Sequence, residues 1–482
     1  MSHLPVLVIA IPLVFAFALP LIFLLGPRVR RPVVFSMGWA YFAVVLIMAG
    51  GWRDAGAQPL VYPIGGWGPE IGIALRLDAL SAVFSALLAL GMLLVILYSQ
   101  EYVDQGESKY YVLLFIVAAG MMGTVLTADF FNLYVFIEMT AISSFPLVAL
   151  SRKGKAVFAA FYYMVFTMVS SALILLAIIL IYGATGSLNM AEVAAGFGDL
   201  STTLRSAIIG SLVVGLGVKI ALIPFHSWLP PAHAEAVSPV SALLSGVLLK
   251  TGVYMMIRLL PMLAAGGADA LMVRRVLLAI GSLTIIGGHL LALGQDNMKR
   301  ILACSSVAHM GYIALGLGIG GPLGVGGALF HSLNHLLMKS GAFFAVGRMV
   351  HGDFQLELLR GKGRAAPLPG WAFAACTGAL IGLPPFGSFA SKLMIVMGAL
   401  AAGMIPAALL LPIGGVLSAM YYGRAYRVIY DAAANFEEGE DLAVPLQTAG
   451  VLGFTAVGCV VTLVASPVLW RFFLAVAGGI IG

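Results

Sequence analysis

The chain has 482 residues, 61% of them hydrophobic and only 10% charged, against roughly 25% charged in an ordinary soluble domain. With a net charge of +6 over that length, this composition excludes a soluble globular protein, a disordered chain and a nucleic-acid binder with a broad basic face. A bilayer span takes about 20 apolar residues, so the chain reads as one polytopic membrane domain over residues 1–482.

Apolar runs separated by polar, Gly or Pro breaks predict spans at 4–26, 33–51, 77–99, 110–127, 129–150, 157–183 and 205–226 in the first half. In the second half they predict spans at 233–259, 272–294, 300–320, 322–346, 367–397, 404–426 and 446–474. The opening MSHLP carries no basic stretch, and the first run reads as a retained helix rather than a cleaved signal. The linkers 52–74 and 189–200 read as amphipathic surface segments with no catalytic role, and no strand period is evident, so the expected fold is all-helical.

Loop cations set the expected orientation. Arg28, Arg30, Arg31, Arg152, Lys153, Lys155, Lys299, Arg300, Arg348, Arg360, Lys362, Arg364, Arg424 and Arg427 fall on one side of this fourteen-span layout. By the positive-inside rule that side is cytoplasmic and both termini face outward. Arg53, Arg76, Arg205, Arg274, Arg275 and Arg471 stay on the other side. The acidic run Glu437 to Asp441 reads as a solvated cytoplasmic turn.

Charge inside the hydrocarbon costs about 2.5–3.5 kcal/mol per residue even on insertion scales. Glu138, Lys219, Lys250, Lys339 and Lys392 all sit inside apolar runs and are therefore candidate functional residues. Glu138 is expected to pair with Lys219, and their separation would set how firmly the pair holds a proton. His331, His335 and Lys339 are spaced i, i+4, i+8, which places them on one helix face as a proton relay. His226 and His233 bracket a turn and are candidate proton-entry groups near the cytoplasmic surface. Arg258 is expected to snorkel at the outer edge, and Asp296, Lys299 and Arg300 to order a short loop.

Pro224 follows Lys219 in the seventh span, whereas Pro384 and Pro385 precede Lys392 in the twelfth. Proline frees a carbonyl that lipid cannot satisfy, so both are expected helix breaks. The mirrored order of Lys and Pro is that of inverted repeats with discontinuous helices. Cys304, Cys376 and Cys459 form no CxxC pair, and no disulfide framework, zinc site or iron–sulfur motif is read from them. The HxxxH pair lacks a third ligand and the HExxH glutamate, so no metal is expected. Neither a Walker A motif nor a nucleotide-binding glycine fingerprint is present, and no cofactor is expected. Energy must come from an ion gradient or a partner subunit.

The stretches PFHSWLPPAHAEAVSPVSALLSGVLLKTGVY, QDNMKRILACSSVAHMGY, HSLNHLLMKSGAFF and GLPPFGSFASK resemble the hallmark segments of the antiporter-like subunits. These belong to Mrp-type sodium/proton antiporters, respiratory complex I and membrane-bound hydrogenases, and the resemblance covers roughly residues 70 to 430. It implies fourteen helices, with helices one to three in 1–109, inverted five-helix repeats in 110–259 and 272–426, and a C-terminal helix in 446–482. It implies that helices seven and twelve are broken and that Glu138 and Lys219 are a coupled pair. It also implies a central relay of Lys250, His331, His335 and Lys339 and a terminal residue at Lys392. Length and layout are closest to the D subunit of Mrp antiporters or its hydrogenase counterpart, without the long lateral helix of the largest complex I relatives. The implied function is proton translocation in a multisubunit complex of a prokaryotic cytoplasmic (inner) membrane, with protons and Na+ as candidate cargo and no redox centre of the chain's own. Either branch stays open: a gradient-driven antiporter, or the pumping arm of an NADH:quinone oxidoreductase-like or hydrogenase-like complex. A quinone-binding redox subunit and a structural scaffold subunit are the alternatives.

Overall fold

The computed structural model describes residues 3–68, 72–103, 107–264, 268–432 and 444–481. The acidic run 437–441 lies outside the described residues. The first elements are α1 (Leu4–Ile22), α2 (Pro27–Asp54), β1 (Leu60–Pro63), β2 (Ala74–Leu77), α3 (Ala79–Ser99), α4 (Glu107–Leu126), α5 (Phe130–Val148) and α6 (Gly154–Thr185). After α7 (Met190–Gly196) and α8 (Thr202–Lys219) come α9 (Leu229–Glu235) and α10 (Ser238–Ala242), then a π-helical turn at Leu243–Leu248 that runs into α11 (Leu249–Ala264). The remainder comprises α12 (Ala268–Leu293), α13 (Met298–Ile319), α14 (Gly321–Met349), α15 (Lys362–Ala365), α16 (Pro367–Ile381), α17 (Gly387–Ala401), α18 (Ile405–Ile429), α19 (Leu446–Val464) and α20 (Ser466–Ile481).

Twelve helices among the described residues are long and apolar enough to cross a membrane. This is an all-α polytopic membrane fold. Its outward faces carry bare apolar side chains such as Phe17, Leu24, Phe158 and Val416, while serines, histidines and lysines are buried. Helices suit this solvent because each satisfies its own main-chain polar groups.

The sequence-based layout differs from the structure in the linker 52–74 and in the last span, and the interruptions expected in the seventh and twelfth spans are present. The linker 52–74 contains β1, paired antiparallel with β2 in the register Leu60↔Leu77 to Pro63↔Ala74. The pairing is four residues long on each strand, too short for a period to show in the sequence. The seventh span stops at Lys219, because Ile220 and the residues after it leave the helix before α9. The twelfth divides into α16 and α17 across Gly382–Phe386, where Gly382 takes φ +92° as the C-terminal cap. The last divides at Ala465 into α19 and α20. Pro224 lies in the first break and Pro384 and Pro385 in the second.

Two compact units share the chain. One comprises residues 1–96, 103–220 and 248–273, and the other 97–102, 221–247 and 274–482. In the first, α4 packs on α1 and α5, and α6 on α8. A Cβ at Gly120 would collide with the Thr140 hydroxyl, which shows how closely α4 and α5 approach. In the second, α14 is central, contacting α13, α16, α17, α19 and α20. There α12 and α13 meet almost backbone to backbone. A Cβ at Gly281 would lie 2.7 Å from the Leu315 amide, one at Gly311 2.7 Å from Ile285 N, and one at Gly318 2.7 Å from Leu278 N. Such small-residue seams are how apolar helices pack tightly where no hydrophobic force distinguishes protein from lipid.

Candidate functional site

In the first unit, Asp129 caps α5 by accepting from Asn132 N at 2.7 Å. The helix then carries Glu138, whose Oε1 is buried without a hydrogen-bond partner. Lys219 is in the last turn of α8, at the negative end of the helix dipole. Its Nζ donates to the Ser171 hydroxyl of α6 at 3.1 Å. Among the described residues no carboxylate, Glu138 included, forms an ion pair with Lys219 within 4 Å. Lys250 is wholly buried at the start of α11, just past the π turn.

Arg258 was expected to snorkel, yet it is tied down. Its guanidinium donates to both carboxylate oxygens of Asp78, at 2.6 and 2.8 Å, and to the Tyr254 hydroxyl at 2.9 Å. Asp78 also exchanges bonds with Ser81 at the start of α3: Ser81 N donates to its carboxylate at 3.0 Å, and its own amide donates to Ser81 Oγ at 2.7 Å. Burial raises the Asp78 carboxyl's affinity for a proton, but Arg258, the Ser81 amide and Arg76 outweigh it and hold the group at about 2.

In the second unit, His331 and Lys339 project from α14 towards α13. His331 Nε2 is 2.9 Å from His309 Nδ1, and the two rings stack with centroids 5.1 Å apart. His331 Nδ1 is 3.0 Å from Ser391 Oγ on α17. His335 brings its ring within 5.4 Å of His309. Lys339 Nζ donates to Leu302 O at 2.7 Å and to Ser305 Oγ at 2.9 Å. All four side chains are fully buried. The i, i+4, i+8 stripe therefore forms a polar seam along the α13–α14 interface.

Lys392, 7% exposed, reaches back across the break in the twelfth span. Its Nζ donates to Leu380 O and Ile381 O, both at 3.0 Å, at the C-terminal end of α16. Lys392 and Lys219 thus occupy equivalent electrostatic positions from opposite chain directions: each sits at the negative end of an interrupted helix. Lys392 also stands 4.8 Å above the Tyr312 ring.

Neither entry histidine is simply superficial. His233 is fully buried, stacked on Phe343 at 5.0 Å, with neither ring nitrogen bonded to protein. His226 is half-buried in the break. Lys299 is not a loop residue either: it is buried at 1% exposure, donates to Ala236 O at 2.7 Å and lies 3.9 Å over the Phe354 ring. Sequence reading missed Lys299, His309, Ser171, Ser305, Ser391 and Tyr312 as members of these clusters. His309 had the same signal as the others, a titratable group in an apolar run. The hydroxyls had none, since a serine or tyrosine in a span is ordinary until its partner is known. Among the described residues no group of three or more His, Cys, Asp or Glu could hold a metal ion.

The family model described as "NADH:quinone oxidoreductase/Mrp antiporter, TM" matches residues 127–418. The NADH-quinone oxidoreductase subunit N of Desulforudis audaxviator is 34% identical over 445 residues, 89% of this chain and 86% of that one. A Staphylococcus aureus chain named as antiporter subunit mnhD2 is 29% identical over 417 residues, 86% and 83% of the two chains. Among solved structures, a chain of the membrane-bound sulfane sulfur reductase, an archaeal respiratory membrane complex, superposes with a TM-score of 0.92. It is 30% identical, and the match covers 100% of this chain and 98% of that one.

Proposed function

This chain belongs to the NADH:quinone oxidoreductase/Mrp antiporter family of membrane subunits, and on that premise we propose that it moves protons along its buried lysines and histidines. It is an antiporter-like subunit of the complex I and Mrp type, and it would work beside other membrane subunits. The observation that carries the reading is Lys392. Its ammonium is buried and held by two main-chain carbonyls, with no carboxylate paired to it among the described residues. An ammonium bound only to neutral oxygens can release its proton without stranding a counter-charge. Lys219 is likewise bonded to a neutral hydroxyl, with Glu138 as the charge that tunes it.

In this reading a proton is held in turn by Lys219 and Lys250 in the first unit and by Lys339, His335, His331 and Lys392 in the second. His226 and His233 serve entry, and Glu138 modulates Lys219 through space. Positive-inside loops put both termini outward, in a prokaryotic cytoplasmic membrane. The inverted-repeat reading draws support from the equivalent seats of Lys219 and Lys392. Na+ enters as the exchanged ion if the complex is an antiporter.

The test uses the assembled complex in inverted membrane vesicles, with proton movement followed by a ΔpH-sensitive dye. Lys219→Ala and Glu138→Ala are each expected to abolish transport while subunit mass spectrometry shows intact assembly. Full transport in both variants would overturn the proposal.

A further inference from the structure

The polar seam of the second unit has a side arm that the relay above does not use. His289 on α12 is fully buried. Its Nε2 is 2.8 Å from the Tyr312 hydroxyl and its Nδ1 is 3.1 Å from the Tyr421 hydroxyl of α18. A neutral imidazole has one donor and one acceptor nitrogen, so one phenol must donate to the ring and the other must accept from it. Either tautomer satisfies this arrangement. Passing from one to the other takes a proton in at one nitrogen and out at the other.

Both ends of this bridge lie in ring contact with the main seam. On one side the Tyr312 ring lies edge-on to His309 and His331, with centroids 5.4 and 5.8 Å away, and beneath Lys392. On the other, Tyr421 packs against Tyr422 at 4.5 Å. The Tyr422 hydroxyl donates to Ser305 Oγ at 3.0 Å, the same oxygen that receives Lys339 Nζ. Gly414 lets α18 close onto this arm: a Cβ there would overlap the Tyr312 hydroxyl and come within 2.9 Å of His289 Nε2.

The geometry points to His289 as a further relay residue, carrying a second proton branch between the Lys339 and Lys392 ends through Tyr422, Tyr421 and Tyr312. The branch rests on the proton-transport reading and runs parallel to the route through His335 and His331. No net chemistry occurs in it. The hydrogen-bonded stretch runs from Tyr312 through His289 to Tyr421; within it each hop breaks one O–H or N–H bond and forms the next, and the imidazole returns to its starting tautomer when its flanking phenols are restored.

Glutamine keeps a donor and an acceptor but cannot exchange them by tautomerisation, so it separates relay from scaffold. The complex would be compared in inverted vesicles as wild type, His289→Gln, His289→Leu, Tyr421→Phe and Lys219→Ala. The branch predicts that His289→Gln is slowed as much as His289→Leu. The loss would be about threefold to tenfold, because the direct route stays open and a positioned proton carrier contributes more than that when it acts alone. Tyr421→Phe should show the same loss, and adding it to His289→Gln should cost nothing more. Wild-type rates in His289→Gln with a slow His289→Leu would make His289 a packing element and overturn the branch. If the glutamine variant does not assemble, wild-type rates in Tyr421→Phe overturn it equally. Full transport in Lys219→Ala would instead indict the underlying reading.

Discussion

Lys219 Nζ is bonded to the Ser171 hydroxyl at 3.1 Å, not to the Glu138 carboxylate. A direct ion pair would hold the proton on lysine and resist its release. A hydroxyl positions the ammonium yet adds no charge, and leaves Glu138 to act at longer range. Ser171→Ala should therefore slow transport severalfold without abolishing it, whereas Glu138→Gln should come close to abolition. Dye quenching in vesicles reads both, and equal rates for the two variants would argue against this division of labour.

Lys392 donates to the last two carbonyls of α16. Buried carbonyls left without a donor cost about 1–3 kcal/mol. Lys392→Ala is expected to lose transport and to lower the melting temperature of the purified complex. Lys392→Gln keeps a donor within reach, so it should restore much of the stability but none of the transport. Recovery of transport by glutamine would remove Lys392 from the proton route.

Asp78 and Arg258 tie the start of α3 to α11. The Asp78 carboxyl falls from 3.8 to about 2 in the folded protein. Its contribution, ~2 kcal/mol at 1.36 kcal/mol per unit, is fully present above about pH 4. It fades as pH falls through that window. Asp78→Asn should lower thermal stability at neutral pH and flatten the acid limb of the stability curve. An unchanged acid limb would show that the pair contributes nothing.

The α12–α13 seam leaves no room for side chains at Gly281 and Gly311. The neighbours are main-chain atoms, which cannot swing aside. Gly311→Ala should destabilise by about 1–3 kcal/mol, the usual cost of overpacking. It should also slow transport, because the seam sets the spacing of His289, His309 and Tyr312. Circular-dichroism melting of the purified complex is the direct check.

His309 faces His331 Nε2 through its Nδ1 at 2.9 Å. His309→Ala is expected to reduce transport as much as His331→Ala, with assembly retained. A near-normal rate would take His309 out of the proposed proton route.

The sequence determined the solvent, the helical class and the identity of most ionisable members of the site. A lysine or glutamate inside an apolar run is costly wherever the helices pack, so Glu138, Lys219, Lys250, Lys339 and Lys392 were legible one by one. The prolines likewise marked both breaks, because a missing amide is a local property. Tertiary structure alone decided which groups touch. That Lys219 meets Ser171 rather than Glu138, that Arg258 is clamped by Asp78, that Lys299 is buried, and that His289 joins Tyr312 to Tyr421 all depend on contacts between residues distant in the chain. A hydroxyl in a span costs little by itself. It carries no signal until packing supplies its partner, and in this fold packing is set by glycine seams whose register no single helix specifies.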